Sequence, residues 1–158
     1  MWPFKRKKKL DSQKWQAMTL LPPDMISKQG GLPAHAVCGS IEVDENSQLL
    51  QESFKTNPQF VEFLHEFIRT EGCKHVDLLE AAKQKGDGEL YVFDNRAPVG
   101  PRGFPPEEII GVSVVSSGQV TTYHANDSYR VLTQHGLTKL PGTLHGQLLR
   151  ALVEDPER

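Results

Sequence analysis

The feature that most constrains the fold is a change in apolar period partway along the chain. Hydrophobic side chains recur at helical spacing between residues 58 and 85, then alternate at strand spacing in segments between residues 90 and 132. The two periods present an apolar face only in different backbones, so the chain must combine helices with a sheet. Asn57-Pro58 opens the first segment. The asparagine side chain suits an N-cap and proline suits the first helical position, where no N–H is needed. Phe60, Phe63, Leu64, Phe67 and Ile68 follow at i, i+3, i+4, i+7 and i+8, and Gly72 fits the stop. This predicts a helix over 58–71 with Phe63 and Phe67 on its inner face. A second helix is expected at 75–85, with Val76, Leu79 and Ala82 on one face, Lys83 and Lys85 near its C-terminal dipole, and Gly86 ending it. A further, weaker helix is expected at 47–55.

Strands are expected at Leu90–Phe93, Ile109–Val115, Val120–Tyr123 and Tyr129–Leu132. Ser116-Ser117-Gly118-Gln119 supplies the turn of a hairpin. Pro141-Gly142-Thr143 introduces a last helix with Leu144, Leu148, Ala151 and Leu152 on one face. Helices first, neighbouring strands next and a closing helix define an α+β class: N-terminal helices, an antiparallel sheet of about three to four strands, and a C-terminal helix.

The 158 residues are about one domain's worth. Breakers at Pro22-Pro23, Gly30-Gly31 and Pro33 give residues 20–47 no steady period, which suggests an irregular arm with a short strand at 37–43. The expected organisation is a basic flexible tail at 1–19, the arm at 20–47 and a single α+β domain at 48–158. The longest apolar stretch, Ile109–Val115, is far below the roughly 20 residues of a spanning helix.

Charge is unevenly distributed. The total is −2, yet residues 1–15 carry six basic residues against Asp11 alone, leaving the remainder at −7. So acidic a body is a poor ligand for duplex nucleic acid. Lys5-Arg6-Lys7-Lys8-Lys9 behind Trp2 and Phe4 suits an anionic membrane surface or a nucleic-acid contact through residues 2–9, and equally suits a solvated tail. No apolar core of a secretion signal follows it. The two cysteines cannot build a disulfide framework, and free thiols point to a reducing, cytoplasmic setting.

Three constellations could carry chemistry. His35 with Cys38 and Cys73 with His75 offer zinc-type ligands, but the Cys-x-His spacing is not a zinc knuckle, so no metal and no cofactor are expected. His124 and His135 with Asp94 could serve general acid–base chemistry if the fold joined them. The segment Asp94–Pro106 is long for a connection between strands, and such loops often carry function. Its Arg96 and Arg102 offer planar donor forks, Phe104 an anchor, and Asp94 a turn cap. The structural alternative is that Arg96 pairs with Asp94 or with an acidic residue such as Glu107 or Glu108 and pins the loop down. The preferred expectation is a small binding protein whose partner, an unidentified protein or acidic ligand, meets Asp94, Arg96, Arg102 and Phe104 and the adjoining hairpin. The alternatives are a small enzyme using His124, His135 and Asp94, and a peripheral membrane protein tethered by its N-terminus.

Overall fold

A computed structural model describes residues 14–101 and 103–154. The basic run at 5–9, the membrane or nucleic-acid contact assigned to residues 2–9, and Arg102 lie outside the described residues. The described residues open with a strand rather than a helix. β1 (Lys14–Thr19) leads to helix α1 (Pro23–Gln29), then β2 (Val37–Val43) and β3 (Leu49–Thr56). These strands form an antiparallel sheet in the order β1-β2-β3. The boundaries drawn at 19/20 and 47/48 therefore separate strands that pair with one another, and residues 20–47 contain α1 and the strand expected at 37–43, which is the central strand of the sheet.

The helix expected at 47–55 is corrected to strand β3. Asp44 is the reason. Its Oδ1 accepts the backbone N–H groups of Asn46 and Gln48, each at 2.9 Å, and Ser47 takes a φ of 62°. That turn sends the chain back alongside β2, where it finds its hydrogen bonds in the ladder.

Helix α2 (Pro58–Thr70) begins as the sequence suggests, with Asn57 accepting from Gln59 N at 3.2 Å. Asn57 also donates through Nδ2 to the Val37 and Ala34 carbonyls at 2.8 and 3.0 Å, fastening the helix start to the first sheet. Phe60, Leu64, Phe67 and Ile68 are buried, whereas Phe63 is half-buried and stacks on His35 with 4.6 Å between ring centres. A 3₁₀ turn (Gly72–Lys74) leads to α3 (Val76–Lys85). Here the inward face differs from the expected one: Ala82 is buried, but Val76 is 69% exposed and Leu79 45%. The 3₁₀ turn resets the phase of the new helix.

The second antiparallel sheet has the order β4-β5-β6, from β4 (Gly88–Phe93), β5 (Ile109–Ser116) and β6 (Gln119–Ala125). Ser117 and Gly118 both take positive φ, 51° and 77°, giving the β5–β6 hairpin a turn that matches strand twist. Gly111 is required by a close approach, since a Cβ there would lie 2.3 Å from the Tyr123 hydroxyl. The strand expected at Tyr129–Leu132 is reduced to a two-residue ribbon, β7 (Leu132–Thr133) with β8 (Gly136–Leu137). Helix α4 (Thr143–Val153) is the last element among the described residues. One core joins Leu21, Ala36 and Cys38 to α2, to Ile110 and Tyr123, and to Leu144, Leu148 and Leu152. The architecture is α+β with antiparallel sheets, and no helix among the described residues is long and apolar enough to cross a membrane.

Phe67→Ala removes a buried ring between α2 and this core. The expected loss is about 3–5 kcal/mol, read as a lower urea midpoint with an unchanged slope. An unchanged midpoint would refute the placement.

Candidate functional site

The segment following β4 begins with Asp94, which is fully buried. Its carboxylate accepts from Arg96 N at 2.9 Å, from the Tyr129 hydroxyl at 2.6 Å and from Lys139 N at 3.1 Å. Burial pushes this carboxyl above the usual range, against the opposing pull of Tyr129, Arg96 and Lys139. Tyr129 is itself raised far above an ordinary phenol by burial and by the Asp94 charge, so it keeps its proton and donates it.

Arg96 occupies the centre of the network, with its side chain 2% exposed. Its Nε donates to Glu108 Oε1 at 2.7 Å, and Asp94 Oδ1 lies 3.5 Å from the same nitrogen. One terminal nitrogen donates to the Val131 and Gly136 carbonyls at 2.6 and 3.0 Å, the other to those of Glu107 and Arg130. All five N–H groups of a guanidinium are thereby used. Glu108 is buried as well and accepts from Thr133 at 3.2 Å.

The expectation that Arg96 stands available at the surface is corrected, and the alternative, pairing with Asp94 and Glu108, is the arrangement found. Glu108 and four carbonyls from three stretches of chain converge on it, and sequence spacing does not show that convergence. Asp94 is likewise interior rather than a surface carboxylate. The network anchors both ends of the loop, while Val99 between them is 65% exposed. The tip turns through a Gly103 N to Gly100 O bond of 3.0 Å, with Gly103 at a φ of 85°.

Phe104 is half-buried and stacks on Phe93, 4.2 Å between ring centres and 21° between planes. The pair stands at one end of a groove of about 360 Å³ between β4 and α3. Ile68, Leu78, Ala81, Leu90, Val92 and Leu144 supply most of its apolar wall. Two larger hollows are lined mainly by polar and charged side chains. One, of about 660 Å³, lies between α2 and α4, and the other, of about 810 Å³, lies beside residues 127–135.

The other constellations are not assembled. His124 contacts Thr122 at 3.4 Å, His135 contacts Gln134 at 3.4 Å, and Asp94 is enclosed by Tyr129, Arg96 and Lys139. His35 Nε2 bonds the Leu152 carbonyl at 2.9 Å, and burial pushes the Cys38 thiol up to about 12. Cys73 donates to Thr70 O, and His75 bonds Thr143. Among the described residues no group of three or more His, Cys, Asp or Glu side chains could hold a metal ion.

One alignment escaped the sequence reading. Thr143 Oγ1 lies 2.8 Å from His75 Nε2, and Asp77 Oδ2 lies 3.7 Å from His75 Nδ1, the order of groups in a hydroxyl-nucleophile site. However, His75 Nδ1 accepts the Asp77 backbone N–H at 3.3 Å as the cap of α3. A ring that accepts at Nδ1 carries its proton on Nε2 and donates it to Thr143, so it cannot take the threonine proton.

Set against known protein families, curated proteins and solved structures, the chain gives no match.

Two expected outcomes follow from the site. Arg96→Met leaves Glu108 and Asp94 buried without their cation and is expected to destabilise by about 3–5 kcal/mol. Arg96→Lys should recover little of this, because an ammonium cannot reproduce the fork. Urea unfolding of both variants checks it; a loss under about 0.5 kcal/mol, typical of a surface change, would refute the anchoring role.

The second concerns pH. His145 Nδ1 accepts from Leu140 N at 3.1 Å, and burial first, then the Lys139 charge, hold this imidazole below its ordinary 6.5, against the pull of Asp94. The unfolded chain then takes up a proton that the folded chain resists. Stability from this group is present above the ordinary value and falls as pH drops through it. His145→Gln should flatten the decline in stability between about pH 7.5 and pH 5.5; an unchanged slope would refute it.

Proposed function

We propose that this chain is a small binding protein, and that its partner is held in the groove beside the anchored 94–106 loop. The observation that carries the reading is the Phe104–Phe93 stack at the end of an apolar groove, on a loop whose ends are fixed by Arg96. A loop already held in one shape loses little conformational freedom on binding. A hollow of several hundred Å³ with mostly apolar walls and few polar groups is the usual form of a ligand site. The exposed ring of Tyr91, 52% accessible on β4, adds contact area at the groove. This reading keeps the loop as the binding element and moves the contact from the buried Arg96 to Phe104, Phe93 and Tyr91.

Titration with the neutral apolar dye Nile red tests it. Saturable fluorescence enhancement is expected in the unaltered chain. Ala81→Trp, which fills the groove, should abolish it, and Phe104→Ala should weaken it several-fold, with circular dichroism unchanged in both. Equal dye binding by all three proteins would overturn the proposal.

A further inference from the structure

We infer that the groove takes an extended peptide of alternating apolar and basic residues, added as a new strand along the free edge of β4. This deepens the proposed function and rests on it. Among the described residues β4 is an edge strand, with β5 its only neighbour in the sheet. Among the described residues, the backbone of 89–93 makes no hydrogen bond outside that ladder. Among these residues, one side of β4 therefore carries a row of N–H and C=O groups without a partner.

The groove lies along that row. Leu90, Tyr91, Val92 and Phe93 line it in unbroken succession. Successive strand residues point to opposite faces, so a hollow on one face would meet only alternate positions. A hollow that meets four in a row runs beside the strand edge. Its far wall is Leu78 and Ala81 of α3 and Ile68 of α2. The occupant thus has backbone groups to pair on one side and apolar side chains to pack against on the other, which is the pattern of strand addition.

The charge of the occupant follows from the lining. Among the described residues its formally charged side chains are Asp77 and Asp94, with no lysine or arginine among them. Asp94 is already matched by Arg96, but the Asp77 side chain is 84% exposed at the groove. Glu89 stands exposed on β4 itself. A cationic side chain beside Asp77 gains attraction, and an acidic one meets repulsion. The edge is also unprotected. Natural edges are blunted by lysine or proline, and Leu90-Tyr91-Val92-Phe93 carries neither. At about 3.3 Å per residue, the six residues of β4 accommodate a peptide of similar length.

The test uses the full chain and a fluorescent eight-residue peptide of alternating valine and lysine, followed by anisotropy and amide hydrogen exchange. Two comparison peptides are used, one with glutamate for lysine and one N-methylated at every amide. The valine–lysine peptide is expected to bind at least tenfold more tightly than either, to displace Nile red, and to slow exchange within Gly88–Phe93. Asp77→Lys should remove most of the lysine preference. Equal binding of the N-methylated peptide, or protection of β1 or β6 instead of β4, would overturn the inference. So would peptide binding that appears only after deletion of residues 1–13, which would make the chain's own basic segment the occupant. Protection of β4 by self-association alone would make the occupant a second copy and overturn it too. If Nile red binds and no peptide does, this inference falls while the groove reading stands; if neither binds, both fall.

Discussion

Arg96 brings a full positive charge into the interior, and the arrangement around the groove depends on how that charge is satisfied. Burying a guanidinium is tolerable only when its donors are all taken and an anion is close. Here Glu108 supplies the anion at 2.7 Å, and carbonyls of Glu107, Arg130, Val131 and Gly136 take the remaining donors. These acceptors belong to the far end of the loop and to the stretch after β6. One side chain therefore holds together three segments that do not follow one another in sequence. Asp94 extends the same network through Tyr129 to Thr138 and through Lys139 N. Among the described residues, every buried side-chain polar atom has a partner. A network satisfied to that degree specifies one loop conformation.

That anchoring explains why an apolar groove can stay open at the end of β4. Glu108 O accepts from Asp94 N at 2.8 Å and Lys139 O from Asn95 N at 2.7 Å, so the strand's exit is fixed. Phe104 is then returned to Phe93 and stacks there rather than collapsing over the strand edge. On the other side, α2 is held to the first sheet by Asn57 and to the core by Phe60, Leu64, Phe67 and Ile68. The 3₁₀ turn after it gives α3 a phase that points Leu78 and Ala81 toward β4 and leaves Val76 and Leu79 in solvent.

Local signals were readable wherever a single segment contains its own reason. The N-cap and apolar stripe of α2, the hairpin turn at Ser117-Gly118 and the apolar face of α4 are of this kind. The Asp44 turn is the exception: it is equally local, and it makes a strand of the 47–55 segment expected as a helix. β1 carried no such signal. Lys14–Thr19 is mostly exposed and is a strand because β2 offers it hydrogen bonds, a reason located some twenty residues away.

The sequence by itself determined the mixture of periods, and with it an α+β chain, the main helix, the central hairpin and the unusual length of the 94–106 segment. These follow from side-chain spacing and turn chemistry, which act over a few residues. Only the tertiary structure decided what the segment's residues do. Arg96 and Asp94 have the composition of a surface contact, and became the anchor because Glu108, Tyr129 and four carbonyls meet there. The groove, too, belongs to no single segment: one wall is a strand edge, the other two helices, and their meeting is set by packing across the chain.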